Sequence, residues 1–272
     1  GLKTITSFFL DNEKRAWVTS DEGVHLFYTQ YSEIRLGATE PRILKAASKA
    51  GDRSLLVTDF KNLILLDIYD SSIEPLFIIR NSEIDLVDAI SDGKTIWVSY
   101  RNGELKKISG NKTETIIHGM DSKRNSLLTL DHFQNLWGRE EQSRTIFRVD
   151  PTGEIKIFGV PEGIASAINS IRALDDSTLY LTGNGNKTCL FKWNRVLGAF
   201  DNISPEIKTQ FKGVLEIYDI EKDKNGNLLL GTNDGIYRVN NRVAKKEYPE
   251  NPEQQLVVRT LVKNKAGWVW SG

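Results

Sequence analysis

Three stretches of this chain are versions of one phrase. Residues 16–27 read AWVTSDEGVHLF, residues 96–108 read IWVSYRNGELKKI, and residues 228–239 read LLLGTNDGIYRV. Each is a run of strand-forming residues, a small polar turn ending near Gly, and a second run with alternating apolar residues. That order spells a β-hairpin. Taking the Trp of AWVT as a register mark, the equivalent positions are Trp17, Leu56, Trp97, Trp137, Tyr180, Leu229 and Trp270. Their successive spacings are 39, 41, 40, 43, 49 and 41 residues. A period in this range constrains the whole fold, because each unit must stack on its neighbours to bury its apolar faces.

Two further columns support the alignment. Six residues before the mark stand Asp11, Ala50, Ser91, Asp131, Asp223 and Asn264, with Asp175 five before Tyr180. Asp, Asn and Ser side chains bond nearby backbone amides and so build turns. Six residues after the mark stand Gly23, Asn62, Gly103 and Gly235. Gly and Asn accept the positive φ that a tight hairpin requires. The units at Trp137 and Tyr180 carry altered turns, GREEQSRT and TGNGNKT.

Before each turn lies another β-like run: TITSFFL, RILKAAS, LVDAIS, SLLTLD, NSIRALD, LEIYDIE and VVRTLV. After the second hairpin strand a further short strand often follows, as in GEIKIFG at 153–159. Four short strands in a unit of about 40 residues make a β-propeller blade. The reading is therefore all-β, a β-propeller of about seven four-stranded blades forming one domain over residues 1–272, the last blade incomplete at WVWSG. The exchange of Trp for Leu at the mark fits a position that fills space between neighbouring sheets. EPRILKAASKA at 40–50 has helical character in isolation, but its register with the other units predicts a strand. No spare strand precedes Thr4 to close the seventh blade, so the natural chain is expected to continue past Gly272.

Composition excludes several functions. Lys plus Arg and Asp plus Glu number 36 each, so no basic excess is available for a phosphate backbone, and no nucleic-acid partner is expected. Cys189 is the single cysteine, which rules out an intramolecular disulfide and a cysteine metal site. The most apolar stretches, such as LILLDIY at 63–69, fall far short of the roughly 18 residues a membrane helix needs.

The phrase DKNGNLLLGTNDGIYR at 223–238 resembles the propeller repeat of bacterial hybrid two-component sensors. The opening GLKTITSFFLDNEKRAWVTSDEGV is similar to a blade start of that family, and NKAGWVWSG to a blade cut short. The resemblance runs along essentially the whole chain. It implies the periplasmic sensory part of a receptor anchored in the inner membrane, continued by more blades, an immunoglobulin-like domain, a membrane helix and a histidine kinase. It implies a non-catalytic module, small-molecule ligands of the oligosaccharide type, and a homodimer in the full receptor. The motif is structural and carries no ligand-binding residues with it. The runner-up is a scaffold for another protein, and a propeller lyase or hydrolase comes third.

Chemistry-bearing residues are sparse. His25, His118 and His132 lie in different units and none has metal-ligand spacing with another. Streptogramin lyase is a propeller enzyme of similar units, and such an enzyme calls for a histidine with carboxylates in its channel; no such set assembles here. TGNGNKT at 182–188 resembles a phosphate loop only superficially, since it reads G-N-K-T where G-K-T is needed. No cofactor and no metal are expected. A residue recurring once per blade is structural, so a ligand site should use residues that break the repeat. Arg172, Asp219 and Arg259 do so, as charges on innermost strands where the other blades mostly carry apolar or small residues. They are the candidate ligand residues.

Overall fold

The computed structural model describes residues 5–10, 16–20, 23–27, 31–34, 44–49, 54–67, 76–118, 125–141, 144–174, 178–204, 208–209, 214–240, 243–248, 256–263 and 269–271. Among the described residues there are strands and turns and no α-helix. The strands fall into seven sheets that follow the seven sequence units.

The first sheet holds β1 (Ile5–Leu10), β2 (Ala16–Ser20), β3 (Gly23–Phe27) and β4 (Tyr31–Ile34). The second holds β5 (Leu44–Lys49), β6 (Ser54–Asp59), β7 (Leu63–Asp67) and β8 (Leu76–Ile79). In the third are β9 (Leu86–Ser91), β10 (Thr95–Tyr100), β11 (Leu105–Ser109) and β12 (Lys112–Ile117). The fourth has β13 (Asn125–Leu130), β14 (Leu136–Glu140), β15 (Thr145–Val149) and β16 (Ile155–Gly159). The fifth has β17 (Ile168–Ala173), β18 (Leu179–Gly183), β19 (Cys189–Asn194) and β20 (Ala199–Asn202). In these five, sequence neighbours are sheet neighbours, the meander expected of a blade.

The sixth sheet departs from the expected four strands. Its members are β21 (Lys208–Thr209), β22 (Ile217–Lys222), β23 (Leu228–Thr232), β24 (Gly235–Asn240) and β25 (Val243–Tyr248), in the order β21-β25-β24-β23-β22. Lys208 and Thr209 run parallel to Val243 and Ala244 at the outer edge. These residues fall in the longest spacing of the repeat, 49 residues between Tyr180 and Leu229. The insertion is thus spent on covering an open edge. The seventh sheet pairs β26 (Leu261–Lys263) with β27 (Val269–Ser271).

The mark column keeps one register throughout. Phe9 faces Trp17, Ser48 faces Leu56, Ile90 faces Trp97, Arg172 faces Tyr180, Glu221 faces Leu229 and Val262 faces Trp270. Each mark is on the second strand of its sheet, and Leu56, Trp97, Trp137, Tyr180 and Leu229 are buried. The side chains of Trp17 and Trp270 lie outside the described residues. β18 is buried along its whole length, as a strand covered on both faces must be. An irregularity also recurs on the innermost strands, where Thr6, Lys45, Val87, Asn169 and Tyr218 are each the extra residue of a bulge. A bulge at a fixed place re-aims the side chains next to it.

By backbone contacts the chain divides into two compact units, residues 1–128 with 138–143, and residues 129–137 with 144–272. The first has a core of Leu56, Leu63, Leu86, Ala89, Val98 and Tyr100, shared by the second and third sheets. The second packs Tyr180, Leu190, Leu215, Ile217, Ile220, Leu230, Tyr237 and Ala244 between the fifth and sixth.

The turn chemistry follows the sequence closely. The Oδ1 atoms of Asp131 and Asp223 each accept two backbone N–H groups of their own turns, and Ser91 Oγ accepts the Gly93 N–H. Asp11, Ala50, Asp175 and Asn264 lie outside the described residues. Burial alone would raise the Asp223 carboxyl, but the Asn227 amide, two backbone N–H groups and Arg238 outweigh it and hold it below the usual range.

Gly103 and Gly235 have φ of +86° and +110°. Asn62 differs from expectation, since it is not among the positive-φ residues. It serves through its buried side chain, which donates to both carboxylate oxygens of Asp59 and accepts the Asn81 N–H. Gly235→Val should cost about 1–3 kcal/mol, because Val at that φ is strained. A lowered thermal midpoint checks this; an unchanged one removes the strain argument.

Candidate functional site

Arg172 is on β17, Asp219 on β22, and Arg259 two residues before β26. The structure brings the first two together. Arg172 Nε donates to Asp219 Oδ1 at 2.8 Å and its Nη2 to Oδ2 at 2.7 Å, a bidentate pair. The Asp219 side chain is 4% exposed and that of Arg172 42%. Asp219 accepts four more bonds, from Ser170 Oγ at 3.1 Å, Ile220 N–H at 2.9 Å, Leu261 N–H at 3.0 Å and, at 3.5 Å, the Thr260 hydroxyl. Its acceptor capacity is filled by the fold.

Asp219 has one acidic counterpart in the repeat. Asp88 stands at the same register position of the third sheet, facing Ser99 as Asp219 faces Gly231. Asp88 accepts the N–H of the next residue, Ala89, at 2.8 Å and that of Leu128 on the following sheet at 2.9 Å. Asp219 does the same with Ile220 and Leu261. Both carboxylates latch one sheet to the next, and their positions beside the bulge aim them across the gap.

Arg259 stays apart from this pair. Its guanidinium sits 5.1 Å from the centre of the Tyr218 ring, while the Tyr218 hydroxyl donates to Glu216 Oε2 at 2.8 Å. Burial pushes the Tyr218 hydroxyl up, with Glu216 adding to the shift and Arg259 opposing it. Asn169, the bulge residue of the preceding sheet, donates to Asn184 Oδ1 and to the Ile217 carbonyl. Asn169, Tyr218 and Arg259 thus succeed one another at the start of three consecutive inner strands. Arg259 is the exposed cation of that row.

A second place was not signalled by the inner strands. A shallow cleft lies between the fourth and fifth sheets, lined by Asp131, Phe133, Asn135, Arg148, Thr178 and Arg195, among others. Its floor is aromatic. Trp137 packs against Phe158, Trp193 and Phe200 with ring centres 5.6, 4.9 and 6.2 Å away. The Trp137 indole N–H donates to Asp131 Oδ2 at 2.8 Å. Arg148 stands 5.7 Å over the Trp137 ring, and Arg195 3.7 Å over the half-exposed Phe133 ring.

Acid–base and metal chemistry have little to build on. His118 and His132 are exposed, and the side chain of His25 lies outside the described residues. Among the described residues no group of three or more His, Cys, Asp or Glu could hold a metal ion. The 182–188 stretch comprises the last two residues of β18 and the turn to β19, and no helix follows it. Cys189 is buried, and burial pushes its thiol up, the opposite of an activated nucleophile.

No protein-family model matches the chain, and no curated protein matches it in sequence. Solved structures do match it. The extracellular domain of the BT4673 hybrid two component system from B. thetaiotaomicron superposes with a TM-score of 0.75 at 14% identity, over 100% of this chain and 37% of that one. The virginiamycin B lyase of Staphylococcus aureus, in a structure with quinupristin, gives a TM-score of 0.78 at 14% identity, over 99% and 91% of the two chains. The WD40 β-propeller domain of Doa1 gives 0.69 at 10% identity, over 99% and 90%. This chain therefore spans little more than a third of the extracellular-domain chain it resembles. At these identities the likeness establishes the fold, a β-propeller, as the repeat predicted.

Proposed function

We propose that this chain is a sensory propeller of a two-component receptor, lying outside the cytoplasm and recognising a small polar ligand of the oligosaccharide class without transforming it. The likeness to the BT4673 extracellular domain along the whole chain carries this reading. The blade motif at 223–238 supports it independently. No helix among the described residues is long and apolar enough to cross a membrane, so an anchor would belong to other parts of such a receptor. Signalling would follow from a ligand binding one state of a receptor homodimer better than the other.

The lyase likeness, which covers 91% of that enzyme's chain, favours a second reading as a propeller lyase. One experiment separates the two. The purified chain is unfolded thermally against a panel of neutral and charged oligosaccharides, and each mixture is then analysed by mass spectrometry. A ligand at 100 times its Kd adds about 2.7 kcal/mol, or roughly 5–10 °C for a domain of this size. A shift with the ligand recovered intact supports the sensor. Turnover by the isolated chain overturns it in favour of the lyase, and silence across the panel favours a scaffold.

A further inference from the structure

The same arginine is neutralised in one sheet and left bare in another. Arg238 on β24 lies 3.3 Å from Asp223 and 3.6 Å from Glu247. Arg148 on β15 is its counterpart: Arg148 faces Lys156 as Arg238 faces Lys245. Both of its carboxylate partners are gone. The counterpart of Asp223 is Asp131, whose Oδ2 is taken by the Trp137 indole and the Asn135 amide at 2.8 Å each. Glu247 is the extra residue of a bulge between Lys246 and Tyr248, and the regular pairing of β15 with β16 has no equivalent of it: Phe158 faces Ile146 as Tyr248 faces Ile236. The Nε atoms of Arg148 and Arg238 are both buried without a hydrogen-bond partner, so what separates the two arginines is the pair of carboxylates, Asp223 and Glu247, beside Arg238. Two changes in the repeat, Leu to Trp at the mark and the loss of the bulge residue on the outer strand, have left one guanidinium without its carboxylates.

That guanidinium lines the cleft together with Arg195. Neither forms an ion pair among the described residues. Stacking on Phe133 occupies the flat face of Arg195 and leaves its in-plane N–H fork available, the geometry that grips a planar oxyanion. The other titratable groups nearby do not cancel this charge. Asp131 is spent on four donors of its own turn and His132 packs edge-on against Phe133; Asp150 feels the Arg148 charge without a direct ion pair, its Oδ1 held by the Thr152 hydroxyl and two backbone N–H groups. The half-exposed Phe133 ring offers an apolar wall beside the two cations.

We infer that this cleft is a recognition site for a carboxylate-bearing sugar, its carboxylate held by Arg148 and Arg195 and its ring against Phe133. The inference rests on the reading of the chain as a ligand-recognition module and supplies the charge of the ligand. A ring provides the CH-rich face that suits an aromatic wall, and a carboxylate matches two guanidinium forks. A neutral sugar would leave both cations desolvated and unpaired.

Methyl β-glucuronide and methyl β-glucoside share a ring and differ in the carboxylate, so the pair isolates the inference. Binding is followed by calorimetry and by NMR of the arginine Nε–H signals. The glucuronide should bind and shift both arginines, the glucoside should not, and added salt should weaken the complex. Arg195→Gln and Arg148→Met should each lower affinity by about tenfold or more. Arg148→Met keeps the packing over Trp137, and the exposed Arg195→Gln serves where that variant fails to fold. Equal binding of glucoside and glucuronide, undiminished binding in Arg195→Gln, sulfate binding as tightly as the glucuronide, or no response to the glucuronide each overturns the inference. A neutral oligosaccharide that shifts the thermal midpoint in that last case leaves the sensor reading standing and removes only this site.

Discussion

Replacing Asp219 by Ala should cost about 3–5 kcal/mol. The cost comes from the donors left behind. The N–H groups of Ile220 and Leu261 and the Ser170 hydroxyl lose their acceptor in a buried place. Arg172 contributes less, because its side chain is 42% exposed and water can take over part of its solvation. Arg172→Ala is therefore expected at about 1 kcal/mol. Denaturant midpoints of the two variants test the difference, and amide exchange at Leu261 tests the latch, since that amide should lose protection in Asp219→Ala. Equal costs for the two would mean that the ion pair, and not the backbone latch, is what Asp219 provides.

Trp137→Ala should destabilise by about 3–5 kcal/mol as well, for a different reason. Trp137 is 1% exposed, and its ring is the hub where Phe158, Trp193 and Phe200 meet. Truncation leaves a cavity that edge-to-face neighbours cannot fill without losing their own geometry. Trp137→Leu introduces the residue that this column carries at Leu56 and Leu229, and it should cost about half as much. Leu lacks the indole N–H, so this variant also returns Asp131 Oδ2 to Arg148, as Asp223 serves Arg238. Thermal unfolding measures the first effect. Glucuronide binding, weakened in Trp137→Leu although both arginines remain, reads out the second.

The two variants mark where sequence reading succeeded and where it stopped. The mark column was legible because a large apolar side chain on a strand covered from both sides is a local, periodic demand. Leu, Tyr and Trp meet it alike, and all five described copies are buried. The turn carboxylates were legible for the same reason, since Asp131 and Asp223 bond amides two and four residues away. Asn62 was misjudged because the turn uses its side chain where a positive φ was expected. Asp219 was read as an exception to the repeat, yet Asp88 makes the same bonds. The bulge on the innermost strands, which brings these two positions into one register, leaves no trace in residue type.

The cleft was harder still. Arg148 and Arg238 sit in near-identical phrases, TIFRV and GIYRV, and nothing in either phrase distinguishes a paired arginine from a bare one. Each arginine's state depends on a mark residue on one strand and an outer-strand residue on another. Glu247 reaches Arg238 from a bulge that the other sheet lacks, and residue type does not announce that bulge.

The sequence by itself determined the period, the strands, the hairpin turns and the residues that fill the core, because those follow from preferences acting over a few residues at a time. Tertiary structure decided which charges meet. Asp219 and Leu261 are 42 residues apart and Asp88 and Leu128 are 40 apart, about one blade in each case. Only stacking one sheet on the next brings them within hydrogen-bond reach. The same stacking sets Arg195 of the fifth sheet beside Arg148 of the fourth, two cations that no local pattern could have paired.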